Sequence, residues 1–181
     1  MQDSTNAQLQ LLVDHFEIRE AVEAYIHARD HADGEATADI YHPDSTEDHG
    51  PIQDSGRRFA ERANEALLSY WTGCHHLLGQ TRIKVTGDTA GAETYFLASL
   101  TRELDGVKML DQMAGRYIDR FERREGKWRI KARKCVSSWS LSVPITSDFL
   151  RGHEFLQTQQ SEQDPSYEVL GLKRGCSRIQ R

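Results

Sequence analysis

Gly115-Arg116-Tyr117-Ile118-Asp119-Arg120-Phe121-Glu122-Arg123-Arg124-Glu125-Gly126-Lys127-Trp128-Arg129-Ile130 is the stretch that decides the fold. Glu125-Gly126 is a two-residue turn signal set between two runs that carry aromatic and β-branched residues, which predicts two antiparallel strands joined by a tight hairpin. Gly87-Asp88 and Asp105-Gly106 repeat the signal upstream, so strands are expected at residues 75–85, 91–102, 108–123 and 127–140. Parallel crossovers need a dozen or more residues, and these links are far shorter. The sheet is therefore expected to be mainly antiparallel.

Before Gly73 the period is helical. Leu11, Ile18, Val22 and Tyr25 recur at helix spacing, with Leu12, Phe16 and Ile26 widening the stripe, so a long amphipathic helix is expected over 8–30, stopped by Asp33-Gly34. A short helix over 35–40 follows, then the proline of Tyr41-His42-Pro43-Asp44 and a polar, turn-like 45–51. Ser55-Gly56 opens a third helix that carries Phe59, Ala63, Ala66, Leu67 and Tyr70 on one face. Helices followed by an antiparallel meander define an α+β domain, assigned to residues 1–145. Residues 146–181 are expected to form a C-terminal arm, with a short helix over 147–157 and a partly mobile tail.

The 181 residues suffice for one domain with a real core. A net charge of −5 offers no basic field for nucleic acid or an anionic membrane, and no apolar run approaches the ~20 residues of a membrane helix. The polar, acidic start Met1-Gln2-Asp3-Ser4 does not resemble a signal peptide, so the expected location is cytoplasmic. Cys74, Cys135 and Cys176 are odd in number and far apart, which fits reduced thiols better than a disulfide framework or structural zinc.

His76 is the leading chemical candidate. It reads either as a hydrogen-bonded strand histidine or as a general base whose tautomer is fixed by a carboxylate, for which Asp30 at the end of the first helix is the natural partner. Arg133 could hold an oxyanion with two donors. Strict alternation opposes this, because Trp128, Ile130 and Ala132 share one face, so Arg133 turns inward only if a bulge shifts the register or the face changes partners. His27 and His31 stand at i, i+4, and His42, Asp44, Asp48 and His49 are neighbours in sequence, yet no His-Glu-x-x-His pattern supports a metal. No nucleophile elbow, phosphate loop or dinucleotide fingerprint is present, so no cofactor is expected.

The order of parts resembles a known group. Glu17-Ile18-Arg19-Glu20 with Tyr25 and Asp30, Tyr41-His42-Pro43-Asp44, His76-Leu77-Leu78-Gly79-Gln80 and the 115–130 stretch are similar to the SnoaL-like and scytalone dehydratase-like proteins of the nuclear transport factor two-like (ketosteroid isomerase-like) superfamily. Within it the chain looks most like the branch of hexachlorocyclohexane dehydrochlorinase and bile acid dehydratase. The resemblance implies a cone-shaped barrel of a strongly bent, mainly antiparallel sheet packed on N-terminal helices. It also implies catalytic residues Tyr25, Asp30, His76 and Arg133, with Phe59, Trp71, His75, Phe96 and Met113 lining a pocket for a small, largely apolar cyclic or aromatic substrate. Gln80 departs from the asparagine common in that branch.

The implied function is a cofactor-independent lyase in which His76, paired with Asp30, removes a proton from carbon and water, halide or a small carbon fragment such as formaldehyde leaves. An isomerase or cyclase would use the same base and keep every atom, and a non-catalytic ligand-binding module is the third possibility. The resemblance further implies a homo-oligomer built through the sheet, a trimer in preference to a dimer.

Overall fold

The computed structural model describes residues 2–147 and 152–177. Its elements run α1 (Gln2–Asp30), α2 (Gly34–Asp39), β1 (Tyr41–His49), β2 (Ile52–Asp54), α3 (Gly56–Tyr70), β3 (Gly73–Thr86), β4 (Thr89–Leu104), β5 (Val107–Arg124), β6 (Lys127–Pro144) and α4 (Pro165–Leu170). The six strands form one sheet in the order β2-β1-β6-β5-β4-β3. Helices pack on its inner face, as the α+β reading requires.

The three hairpins are those expected. Gly87 takes a positive φ alone, while Asp105-Gly106 and Glu125-Gly126 are positive at both turn positions, the geometry that matches the right-handed twist of the flanking strands. Every neighbouring pair is antiparallel except β1 with β6, which is parallel. That exception corrects the reading of 45–51 as a turn. Ser45 and Glu47 are buried on the inner face of β1, so their polarity reports hydrogen bonding inside the fold rather than a loop. The sheet is not a closed barrel, since β2 and β3 end it without pairing to each other.

The core gathers Ile18, Val22, Tyr25, Phe59, Phe96, Tyr117, Phe121, Trp128 and Ile130. Leu11, Leu12 and Phe16, expected on the packed stripe of α1, are 46%, 67% and 50% exposed. The first turns of α1 run past the sheet, and the buried stripe begins at Asp14. There Asp14 accepts hydrogen bonds from Arg123 and from the Trp128 indole. At the start of α3 only glycine fits, because a Cβ on Gly56 would lie 2.2 Å from the Tyr41 ring.

The helix expected over 147–157 falls partly on residues 148–151, outside the described residues, and 152–157 are not helical. The arm's helix is α4 instead, started by Asp164, whose side chain accepts from the Ser166 N–H, with proline in its first turn. The arm lies over the α1–α2 junction. Arg174 donates to the carbonyls of His31 and Ala32 at 3.1 and 2.7 Å, and the Gly175 N–H donates to Asp33 at 2.9 Å.

Candidate active site

Asp30 is the last residue of α1, and the chain leaves the helix through Ala32, which takes a positive φ of 51°. Its carboxylate reaches the start of β3. Oδ1 lies 2.6 Å from His76 Nδ1, and Oδ2 accepts the His76 backbone N–H at 3.0 Å. One carboxylate thus holds both the ring and the main chain of one residue. Cys74, two residues earlier on the same face of β3, directs its thiol to Oδ1 at 3.4 Å. The Asp30 and His76 side chains are only 14% and 10% exposed.

Burial alone would raise the Asp30 pKa, but the bonds from His76 outweigh it and hold the carboxyl below the usual carboxylate range. An ionised Asp30 accepts, so the bond hydrogen sits on Nδ1 and the neutral ring presents Nε2 as its basic nitrogen. Burial, reinforced by the Asp30 charge, pushes the Cys74 thiol up to about 12. It is a neutral thiol at neutral pH.

Arg133 does turn inward, and a bulge is the cause. Arg120 pairs with Ala132 while Phe121 pairs with Ile130, so Lys131 is an extra residue on β6 and the phase shifts by one. Trp128, Ile130 and then Arg133 are buried in succession. Arg133 meets Asp119, its direct cross-strand partner, through Nε at 2.7 Å and Nη2 at 2.8 Å. The guanidinium lies between two rings, 4.1 Å from the Tyr25 centroid and 4.2 Å from that of Tyr117. Burial opposes its charge, but Asp119 keeps its pKa well above the ordinary value. Among the described residues Nη1 is buried with no partner within hydrogen-bond geometry.

Tyr25 packs edge-on against Tyr41 and Tyr117, with centroids 6.1 and 5.8 Å apart. Burial pushes its hydroxyl up to about 12, with Arg133 opposing, so it remains protonated at neutral pH. The four expected catalytic residues therefore form two pairs, Asp30 with His76 and Tyr25 with Arg133. Among the described residues no hydrogen bond joins the pairs.

A cavity of about 480 Å³ reaches Asp30 and Cys74, lined also by Thr72, His75, Ser99, Thr101 and Lys108, with Gln157, Thr158 and Gln160 of the arm across it. It is more polar than expected, because Asp30, the threonines and Ser99 of the sheet end and Lys108 line it together with the arm's two amides and Thr158. Of the expected site residues Asp30 and His75 line this cavity, whereas Tyr25, His76 and Arg133 do not. Phe59 stacks on His49 at 4.7 Å and Phe96 on Tyr117 at 4.3 Å, both within the core. Met113 packs on that core, while Trp71 packs beside Cys74 with Ala32 and Leu67. Gln80 is exposed, at an irregularity in the β3–β4 register.

Sequence reasoning missed Asp119 and Cys74. Asp119 shares the phase of buried Gly115, Tyr117 and Phe121, and a carboxylate in that phase is a signal for a buried cation. Cys74 lies in phase with His76. Glu47 was hidden by the turn reading; buried, it accepts from the Tyr41 hydroxyl at 2.8 Å and pairs with His49 Nδ1 at 2.9 Å.

Helices packed on one open, mixed six-stranded sheet define an α+β class, and sequence comparison supplies the family. Residues 10–134 match the SnoaL-like domain, and the chain belongs to that family. It has the cone-shaped α+β fold of the wider nuclear transport factor two-like superfamily. A putative scytalone dehydratase from Novosphingobium aromaticivorans is 19% identical, with 82% of this chain and 99% of that chain aligned at a TM-score of 0.64. A type 2 hexachlorocyclohexane dehydrochlorinase (LinA) is 19% identical, covering 83% and 97% at a TM-score of 0.67. The beta subunit of a putative aromatic-ring-hydroxylating dioxygenase, also from Novosphingobium aromaticivorans, is 24% identical over 71% and 92%, at a TM-score of 0.58. No curated protein matches. Among the described residues no helix is long and apolar enough to cross a membrane.

Proposed function

We propose that the chain is a cofactor-independent lyase in which His76 Nε2 takes a proton from carbon and a neighbouring leaving group departs. The observation that supports this reading is the two-point grip of Asp30 on His76, which favours the Nδ1–H tautomer and leaves Nε2 as the basic nitrogen. A carboxylate in this position also stabilises the imidazolium formed as the proton arrives. Tyr25 and Arg133 are buried and lie outside the Asp30 cavity, so their proposed role as donors to an oxygen or halide that gains charge requires the substrate to reach the inner face of the sheet. The dehydratase and dehydrochlorinase named among the structural neighbours support elimination as the reaction class.

The substrate is a small cyclic or aromatic compound that would enter beside Asp30 and Cys74 and pass inward to His76, which shares the pleat of Cys74 and stands behind the cavity wall. Product mass tests the reading. Incubation with hydroxylated or halogenated cyclic compounds should give a product lighter by one water or one hydrogen halide, and His76→Ala should suppress it. A product of unchanged mass would favour an isomerase or cyclase using the same base. Tight binding without turnover, indifferent to His76→Ala, would favour the binding module.

The chain would assemble as a homotrimer through the outer face of the sheet. Leu77, Leu97, Ala114 and Trp139 lie in one row across β3, β4, β5 and β6. Leu77 and Trp139 are 61% and 48% exposed in the single chain.

A further inference from the structure

Asp30, Cys74 and His76 bring three unlike donor atoms, an oxygen, a sulfur and a nitrogen, within 4.8 Å of one another. They stand on two elements that pack together, the end of α1 and the start of β3, so the donors are held rather than assembled from a loop. Asp30 and Cys74 line the 480 Å³ cavity, which gives an ion a path to them.

The spacing can be compared with what an ion needs. Bonds of about 2.3 Å to sulfur and about 2.1 Å to nitrogen or oxygen, at tetrahedral angles, place sulfur roughly 3.5 Å from the other two donors. Here Cys74 Sγ lies 3.4 Å from Asp30 Oδ1 and 3.6 Å from His76 Nδ1. Only the oxygen and nitrogen, 2.6 Å apart across their hydrogen bond, must separate, by about 0.8 Å. Rotation of the Asp30 carboxylate would open that distance, and the cavity reaches two of the three donors, Asp30 and Cys74.

We propose that Asp30, Cys74 and His76 form an inhibitory binding site for a thiophilic divalent cation of the Zn²⁺ class. One thiolate, one imidazole and one carboxylate suit Zn²⁺ better than Mg²⁺ or Ca²⁺, which prefer oxygen alone. Binding releases the Cys74 thiol proton to solvent. It also shifts the neutral ring's proton from Nδ1, now bonded to the metal, to Nε2. The nitrogen proposed to receive the substrate proton is then occupied, so one ion replaces the hydrogen bond that orients the base and blocks the base itself. Binding requires no assumption about activity; the effect on turnover rests on the reading of His76 as base.

The test is titration of the full chain with Co²⁺, followed by displacement with Zn²⁺. The expected result is one equivalent of four-coordinate cobalt, with its visible absorption and a thiolate-to-metal charge-transfer band, lost on adding Zn²⁺. Cys74→Ser should abolish the charge-transfer band, whereas Asp30→Asn should keep it and weaken binding at least about tenfold. His27→Ala, which alters the stacked His27–His31 pair outside the proposed site, should change neither. Absence of the band in the unaltered chain, its survival in Cys74→Ser, or its loss in His27→Ala would overturn the site. Stoichiometric cobalt binding that leaves turnover intact would contradict His76 as the base while leaving the metal site standing.

Discussion

Arg133 and Asp119 face each other directly across β6 and β5 and meet through two hydrogen bonds at 2.7 and 2.8 Å, with both side chains fully buried. The pair depends on the single extra residue Lys131, which moves Arg133 from the outer face of β6 to the inner one. Removing one partner leaves an uncompensated charge in the core. Arg133→Ala and Asp119→Ala should each cost about 3–5 kcal/mol, while replacing both with apolar residues of similar volume should cost less than either single change. Urea denaturation of the three variants checks this ordering.

The Asp30–His76 pair predicts kinetics. His76→Ala should lower kcat by about 10² to 10⁴, the usual contribution of a positioned base. Asp30→Asn should act in the same direction, because an amide can donate to the ring and stabilise the wrong tautomer. The effect should fall on kcat more than on KM, and steady-state kinetics on any converted substrate separates the two.

Between α1 and α4 the structure predicts a pH response. Ser166 of the arm lies 3.4 Å from His27 Nε2 and 3.3 Å from His31 Nε2, and the two rings stack at 4.1 Å. Burial, and then His31, hold the His27 pKa below its ordinary 6.5, while Asp164, Asp30 and Asp33 pull the other way without cancelling the shift. The unfolded chain therefore takes up the proton first as pH falls, so His27 contributes stability that is fully present above 6.5 and is lost as pH drops from there through its lowered folded-state pKa. Urea denaturation should show a smaller contribution of His27, judged against His27→Gln, at about pH 5.5 than at about pH 7.5, and an equal contribution would refute it.

How much of this was legible in the sequence differs by element. The three hairpins were, because Gly87-Asp88, Asp105-Gly106 and Glu125-Gly126 state their own backbone geometry. The Asp30–His76 pairing was also reachable, since a helix stop and a strand start fix where each side chain stands. Strand β1 was not legible: its buried Glu47 and Ser45 satisfy their polarity inside the fold, and no local pattern separates that from a loop. The inward turn of Arg133 was conditional on a bulge that Lys131 does not announce. Helix α4 was hidden because of its brevity, one buried side chain, Tyr167, being too little to set a period.

Gly56 offers a steric prediction. An added Cβ would meet Tyr41 ring atoms at 2.2 and 2.4 Å and Ser45 Oγ at 2.7 Å. Gly56→Ala must displace the Tyr41 ring and the start of α3, at about 1–3 kcal/mol. A lowered Tm is expected, despite the better helix propensity of alanine.

The proposed trimer through the outer sheet face is open to a direct test. Trp139→Asp or Leu77→Asp places a charge in the exposed row and should shift the chain from trimer to monomer in light scattering, with the secondary structure retained.

The central claim, that Asp30 sets the His76 ring with Nε2 free to accept a proton, is tested most directly by long-range ¹H–¹⁵N correlation of the uniformly ¹⁵N-labelled chain. In the neutral ring His76 should show a protonated Nδ1 and an unprotonated Nε2, and Asp30→Asn should reduce or reverse that preference. A neutral His76 protonated at Nε2 in the unaltered chain would contradict the account.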